Sequence, residues 1–431
     1  MNKFKIIWFG QLVSLIGSGL TSFSLGIWVY QHTGSITRFA LISACATLPA
    51  VLISPTAGVI VDRWDRRTVM VLSDLAGGIT TLAIAVLFFM GRLRILEIYV
   101  LVAMESIAAA FRLLSYMALL SQLVPSGQIE RASGMMQLGP AAAQVVSPIL
   151  AAALIGFIHF QGVLFVDFTT FIFAIGTLLL IQVPQIAEKN ERQLFWREAA
   201  EGWYFITARP GLMRLLLFFV VINITYSFAQ VLFTPVILSF TTVSVLGTIM
   251  SVGAFGFLGG GILVSAWRGP RKRVYGLLGC AVLYGLGLIV AGLRRSPFLI
   301  TAGVCVTAFA LPLMNGFSQA IWQTKTALPI QGRVFAIRQM IAWSSIPLAF
   351  FLAGPLADNV FEPLLMHTRP FAGKWTNIIG TGPGRGAALL LILNGILALL
   401  ITALCYFNRR LRHLEEELPN AVSGTRVLPV A

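Results

Sequence analysis

Long apolar runs dominate this chain, and their spacing limits what it can fold into more than any motif does. Runs long enough to cross a bilayer recur at about 6–30, 38–61, 68–91, 95–120, 134–158 and 162–183. Six more follow at about 212–239, 242–267, 274–293, 297–322, 334–357 and 386–407. About 20 apolar residues span a hydrocarbon core as a helix, and only helices and closed barrels satisfy their own backbone there. The spacing therefore predicts an all-α membrane protein with twelve transmembrane helices. Charged residues make up only 11% of the 431, against roughly a quarter in soluble domains, which excludes a water-soluble fold. The net charge of +15 does not signal nucleic acid, because the basic residues punctuate the apolar runs instead of gathering on one polar domain.

The connections set the orientation. Between the second and third runs lies Gly58-x3-Asp62-Arg63-Trp64-Asp65-Arg66-Arg67, with five charged side chains in six residues. A linker this short turns back at the membrane surface, and its three arginines favour the cytoplasmic side, where short loops rich in Lys and Arg are retained. With that loop inside, 22 basic residues fall inside and 8 outside. The inner set includes Lys3, Lys5, Arg131, Lys189, Arg192, Arg209, Arg268, Arg271, Lys325, Arg333, Arg338 and Arg426; the outer set includes Arg38, Arg92, Arg295, Arg369, Lys374 and Arg385. Both termini are then cytoplasmic, and the protein is a multi-pass component of a cell (inner) membrane. The first run is too long for a signal-peptide core and lacks a clear cleavage site, so it reads as the first span.

The chain divides into two halves: a six-helix bundle over 1–183, an amphipathic cytoplasmic linker over 184–211, a second bundle over 212–408 and a solvated tail over 409–431. Pro125 and Arg131 open the fifth run, as Pro329 and Arg333 open the eleventh about 200 residues later. The basic loop 63–67 has a weaker counterpart at 268–273. Parallel repeats of this kind build transporters that hold substrate between halves near mid-membrane. In the linker, Phe195, Trp196, Trp203, Tyr204 and Phe205 lie among charges, a composition suited to the membrane interface.

Polar stripes mark candidate pathway residues. Gln11, Ser14, Ser18, Thr21 and Ser22 share one helical face of the first run. Asn223, Tyr226, Ser227, Gln230 and Thr234 repeat the device on the seventh, and Asn315, Ser318, Gln319 and Trp322 on the tenth. Tyr116 joins the candidates from the fourth. Interhelical hydrogen bonding is the alternative use of such residues. Glu105 and Arg112 lie seven apart on one face of the fourth run, and charges this deep usually face a pathway. Glu105 is the candidate to take up and release a proton, with Arg112 tuning its charge; a structural pair is the alternative. Roughly 10 Å of helix rise separates them, which predicts no tight mutual salt bridge and another partner for each.

Asp62, Arg66, Arg67 and Asp74 are expected to form a cytoplasmic latch, and Asp167 to cap the sixth helix. Gly134, Ser147 and Pro148 predict close packing and bending of the fifth helix, and Gly253, Gly256, Gly259, Gly260 and Gly261 close packing of the eighth. Cys45, Cys280, Cys305 and Cys405 lie in apolar runs without CxxC spacing, so neither a disulfide framework nor a metal site is implied. His32, His159, His367 and His413 are scattered, as no embedded enzyme would have them. The G-x-x-x-x-G-K-[ST] loop of a nucleotide-driven pump is missing. Glycines 380, 382, 384 and 386 lack the strand that a dinucleotide fingerprint needs. No cofactor is expected.

The G-x-x-x-D-R-x-x-R-R loop resembles the motif between helices two and three of the major facilitator superfamily, with Asp65 where that family usually has glycine. Helix five resembles the family's antiporter motif with Ala or Ser replacing most glycines, and Arg112 resembles an arginine that many of its antiporters carry. The opening Trp8-x2-Gln11-x2-Ser14-x2-Gly17, the segment Gly354-Pro355-Leu356-Ala357-Asp358 and the tail Leu414-Glu415-Glu416-Glu417 resemble its drug-exporter branch, which includes macrolide-efflux and siderophore-export relatives. The resemblance covers essentially the whole chain. It implies two pseudo-symmetric six-helix bundles and a monomeric secondary transporter that exports a lipophilic small molecule by alternating access, with a proton, or sodium, as counter-ion. A narrow siderophore or lipid exporter is the second reading; a membrane-embedded enzyme or a non-transporting receptor is the remote one.

Overall fold

The computed structural model describes residues 2–124, 128–181, 195–266, 270, 272–366, 380 and 382–417. Pro125, Lys189, Arg192, Arg268, Arg271, His367, Arg369, Lys374 and Arg426 lie outside the described residues, as do the side chains of Asp62, Arg131, Trp196 and Pro329.

The helices are α1 (Asn2–Thr33), α2 (Ile36–Arg63), α3 (Arg66–Phe89), α4 (Ile95–Leu123), α5 (Ile129–Leu179), α6 (Phe195–Thr207), α7 (Pro210–Leu238) and α8 (Val243–Ala266). They continue with α9 (Arg273–Leu293), α10 (Pro297–Lys325), α11 (Leu328–Pro355), a π-helical turn at Leu356–Phe361, α12 (Glu362–Met366), α13 (Arg385–Phe407), α14 (Arg409–Arg412) and α15 (Leu414–Glu417). Eleven of these are long and apolar enough to cross a membrane. One of the eleven is α5, whose 51 residues would extend about 77 Å, over twice a hydrocarbon core of about 30 Å. His159, at φ 58° and ψ −179°, interrupts its helical backbone. The limbs 129–158 and 160–179 are therefore two spans, which gives the expected twelve.

The chain forms two compact units. Unit one comprises Met1–Lys189, Thr241–Ser251 and Phe350–Pro355; unit two comprises Asn190–Phe240, Val252–Ala349 and Leu356–Ala431. In unit one, α1 packs against α5, α2 against α4, and α3 against both α4 and α5. Small residues make these approaches possible. A Cβ added to Gly10 or Gly17 of α1 would collide with Thr177 or Thr170 of the second limb of α5, and one at Gly19 would strike Ser147 of the first. Ser147 also donates to Ile16 O at 3.0 Å. Gly134, in contrast, has nothing within 4 Å of its added Cβ, so the close contact of the fifth helix is carried by Gly19 and Ser147 instead.

In unit two α9 packs between α10 and α13. Gly292 lies against Ala388 O of α13, 2.7 Å from its would-be Cβ, and a Cβ added to Gly287 would lie 2.9 Å from Gly303 O of α10. Gly256 and Gly260 of α8 likewise abut Cys305 O and Phe309 O of α10, the small-xxx-small geometry of membrane helix pairs.

Charges bind the helix ends, where backbone groups have no intrahelical partner. Glu362 accepts from the amides of Gly384 (2.5 Å) and Gly386 (2.9 Å) at the start of α13. Buried Arg385 turns back to donate to Gly292 O (3.1 Å) and Leu293 O (3.0 Å) at the end of α9. The glycines of this turn include Gly380, Gly382 and Gly384 at positive φ; they shape a helix start.

Two expectations change. The described part of the linker, α6, belongs to unit two: buried Gly202 seats it against the Arg333 carbonyl of α11, and Glu201 pairs with Arg333. The tail is docked rather than solvated through Glu417. Leu411 and Leu414 are buried, Lys325 Nζ donates to Glu415 O at 2.7 Å, and Glu415 accepts the Val274 amide of α9 at 3.2 Å. Glu416 pairs with Lys272 at 2.7 Å, which holds the carboxyl below its ordinary range and the ammonium above its own. That pairing is complete at neutral pH; it fades only as pH falls through the lowered carboxyl value or rises through the raised ammonium value.

Gly260→Leu is expected to lower the melting temperature of the purified protein by the equivalent of about 1–3 kcal/mol of overpacking. Gly261→Leu, where an added Cβ meets nothing within 4 Å, should melt like wild type. Equal melting of the two variants would show that the α8–α10 approach is not structural.

Candidate functional site

Unit one buries a charge cluster contributed by four helices. Asp74 and Thr81, seven apart, share one face of α3; Glu105 and Arg112, seven apart, share one face of α4. Asp167 comes from the second limb of α5 and Gln11 from α1. Arg112 is the hub. Its Nη2 donates to Glu105 Oε1 at 3.0 Å and its Nη1 to Asp74 Oδ1 at 3.4 Å. Asp74 is fully buried, the Arg112 side chain is 8% exposed and that of Glu105 24%. Gln11 Nε2 donates to the second Asp74 oxygen at 2.8 Å. Thr80 Oγ1 reaches Glu105 at 3.5 Å, and the Phe171 ring lies 5.4 Å from the guanidinium.

Space for this cluster is made by Gly77. A Cβ there would sit 2.6 Å from both Glu105 Oε2 and the Phe171 ring. Asp167 is buried and within electrostatic reach of Arg112 and Glu105. Its Oδ2 accepts from Thr81 Oγ1 at 3.0 Å, while Oδ1 faces Gly17 of α1, with Thr21 of the same helix in reach of the carboxyl. With all carboxyls ionised, one guanidinium and three carboxylates sum to −2. Uncompensated charge is costly in a membrane interior, so proton occupancy decides the net charge of this cluster.

Several sequence expectations are corrected here. Glu105 and Arg112 do bond directly, because the long arginine side chain covers the helical rise, and each also has a further partner. Asp74 is not part of a surface latch with the loop arginines. Arg66 donates to Ala118 O, five residues before the end of α4 (3.3 Å), and Arg67 to Leu178 O and Leu179 O at the end of α5 (3.0 and 2.9 Å). Arg67 is a cation on a helix C-terminus, a favourable arrangement for charge and backbone alike. Asp65 caps α3 by accepting from Thr68 N at 2.9 Å, which explains a carboxylate where the resembled motif has glycine. Asp167 lies well inside its limb and is no helix cap.

Of the polar stripe, Gln11 is committed to Asp74, Ser18 is half-buried and Ser22 exposed. Tyr116 is buried and stacks on Phe4 with ring centres 6.2 Å apart. On α7, Gln230 is exposed and its Nε2 donates to Tyr226 Oη at 2.6 Å; half-buried Asn223 takes Ser227 Oγ on its backbone carbonyl at 2.8 Å. On α10, Asn315 is exposed, Gln319 Oε1 accepts from Arg338 Nη1 at 2.9 Å, and Trp322 is fully buried. Asp167, Gly77 and Arg338 were missed as site residues. The first and last had the signal that found Glu105, a charge inside an apolar run; a glycine has no comparable signal.

The family model described as Major Facilitator Superfamily matches residues 7–351. Macrolide efflux protein A of Streptococcus pyogenes is 28% identical over 376 residues, covering 83% of this chain and 90% of that protein. Multidrug efflux pump Tap of Mycobacterium tuberculosis (strain ATCC 25618 / H37Rv) is 25% identical over 366 residues, covering 82% and 86%. Among solved structures, an inward-facing, unoccupied bacterial homolog of the human lysosomal transporter Spinster superposes with a TM-score of 0.73 at 13% identity, over 96% of this chain and 98% of that one. The nucleoside transporter NupG superposes with a TM-score of 0.67 at 14% identity, over 95% and 100%.

Arg112→Leu strands two buried carboxylates, a change that costs about 3–5 kcal/mol, and should markedly lower the melting temperature in detergent. Adding Asp74→Asn and Glu105→Gln should restore much of the loss. A single variant that melts with wild type would refute the hub role.

Proposed function

The chain belongs to the Major Facilitator Superfamily, and on that footing we propose that it exports lipophilic small molecules, drugs among them, from the cytoplasm by alternating access coupled to proton antiport. The observation that carries the coupling is the excess of carboxyls around one guanidinium: Glu105 and Asp74 bonded to Arg112, with buried Asp167 close by. Proton uptake at Glu105 weakens its hold on Arg112 and strengthens that of Asp74. Arg112 therefore shifts between carboxylates on α3 and α4 as the proton comes and goes, which gives a helix pair two arrangements that differ by one proton. Gln11 ties α1 to the same switch through Asp74. Asp167 is the second proton-holding candidate, since it is a buried carboxyl with no cation bonded to it among the described residues.

On this reading the cargo-facing candidates are Ser18 and Ser22 on α1 within unit one, and Asn223, Tyr226 and Gln230 on α7 with Asn315 and Gln319 on α10 within unit two. Tyr116 and Trp322 serve as packing beneath those faces. The two efflux relatives support a drug as cargo.

Efflux of preloaded ethidium or erythromycin from cells expressing the protein should collapse when a protonophore is added. Glu105→Gln should reduce uphill efflux to near background yet retain counterflow exchange, which needs no net proton movement. Uphill efflux that survives the protonophore, or a Glu105→Gln protein that pumps like wild type, would sink the coupling.

A further inference from the structure

Unit two holds a cation that its surroundings do not balance. Arg338 lies ten residues into α11, about 15 Å of helix rise from its start. Its Nη1 donates to Gln319 Oε1 at 2.9 Å and its Nη2 to Ser318 Oγ at 3.4 Å. The guanidinium lies 5.5 Å from the ring centre of fully buried Trp322. An amide, a hydroxyl and an indole are all neutral, and among the described residues no carboxylate lies within ion-pair distance of Arg338. Arg112, by contrast, has two carboxylates; Lys325 and Arg385 also rest on neutral oxygens, but these are main-chain carbonyls in the tail and at the end of α9, whereas Arg338 meets side chains.

A long basic side chain near a helix start can snorkel to the interface. Arg338 leans only part of the way, because its hydrogen bonds anchor the head on α10. Gln319 and Ser318 lie six and seven residues before Lys325, where α10 ends, so the head is held roughly 9–10 Å inside the span. A guanidinium carries five N–H donors in a rigid fork that matches a carboxylate or phosphate. Gln319 and Ser318 account for two, which leaves three for something else. Asn315, one turn from Gln319 on α10, is exposed and extends the polar surface. Arg338 is half-buried, and intramembrane cations that persist usually mark a substrate or ion path.

We propose that Arg338, fixed by Gln319 and Ser318 over Trp322, is a recognition point for an acidic group on the transported molecule, so that the cargo includes amphiphiles bearing a carboxylate or comparable anion. The inference rests on the exporter reading and narrows its substrate class. By the charge count of the loops, Arg338 lies in the half of the membrane nearer the cytoplasm, where outward cargo is first met. Trp322 supplies a flat apolar support for the guanidinium, and Gln319 fixes its rotation, so the remaining donors are pre-aimed.

The test uses the full-length protein in proteoliposomes and two fluorescent probes with one scaffold: dansylamino-undecanoate and its uncharged primary amide. Wild type should bind and move the carboxylate more tightly than the amide. Arg338→Gln should weaken the carboxylate about ten-fold or more, as expected for loss of a charge-assisted contact, while leaving the amide unchanged. Arg338→Lys should restore part of the preference, since it keeps the charge without the fork. The amide serves as the folding control within each variant, because a damaged protein would lose both probes together. A wild type that binds neither probe, or both equally, or an Arg338→Gln protein that keeps the preference, would overturn the proposal. In those cases ethidium efflux separates the two levels: if wild type still moves ethidium the exporter reading stands, and if it moves none both fall.

Discussion

The Arg112 guanidinium, shared between Glu105 and Asp74 in a water-poor interior, is the interaction on which the rest of unit one depends. Placing three charges there is tolerable only because each is met by another at hydrogen-bond distance, and the helices are held in register as a result. α3 and α4 must align so that Asp74 lies opposite Arg112, and α1 must bring Gln11 to the outer side of Asp74. Gly77 must remain without a side chain, or Glu105 and Phe171 could not both approach. One shared cation thus fixes the rotation of several helices whose lipid-facing surfaces impose no rotation of their own.

Helix packing elsewhere follows a different rule, because lipid is as apolar as the side chains it touches and burial alone does not drive association. Close approach does, and it is bought with small residues. Gly10, Gly17 and Gly19 let α1 lie against both limbs of α5, and Gly256 and Gly260 let α8 meet the backbone of α10. The helix termini then need partners for their free backbone groups, and the charged residues outside the cluster supply many of them. Arg67 and Arg385 serve carbonyl ends, and Arg66 a carbonyl five residues before the end of α4; Glu362 and Glu415 serve amide ends. Some of the basic residues that punctuate the apolar runs therefore also bond helix carbonyls in the fold.

The two units use buried charge in opposite senses. Unit one has an excess of carboxyl groups around one cation; unit two has a cation, Arg338, among neutral partners. The first arrangement suits an exchangeable proton and the second an anionic cargo.

The number of spans, their order, the division into two bundles and the family were legible in the sequence, because apolar run length and loop charge are local properties that the bilayer reads directly. Glu105 and Arg112 were legible for the same reason, being charges where apolar residues are otherwise required. What the sequence could not give was pairing. It placed Asp74 with the loop arginines seven and eight residues away, whereas the fold gives Asp74 to Arg112 and Gln11 and sends Arg66 and Arg67 to main-chain carbonyls of α4 and α5. It read Asp167 as a cap, although the side chain lies under Thr81, and it counted Arg338 with the cytoplasmic charges, although Gln319 holds it inside the span. The break at His159 was placed within a few residues, but its form, a single residue at positive φ, was not foreseen. Partners of a buried charge are set by how neighbouring helices rotate and slide against one another. That depends on which small residues permit contact between segments far apart in the chain, so only the tertiary structure decides it.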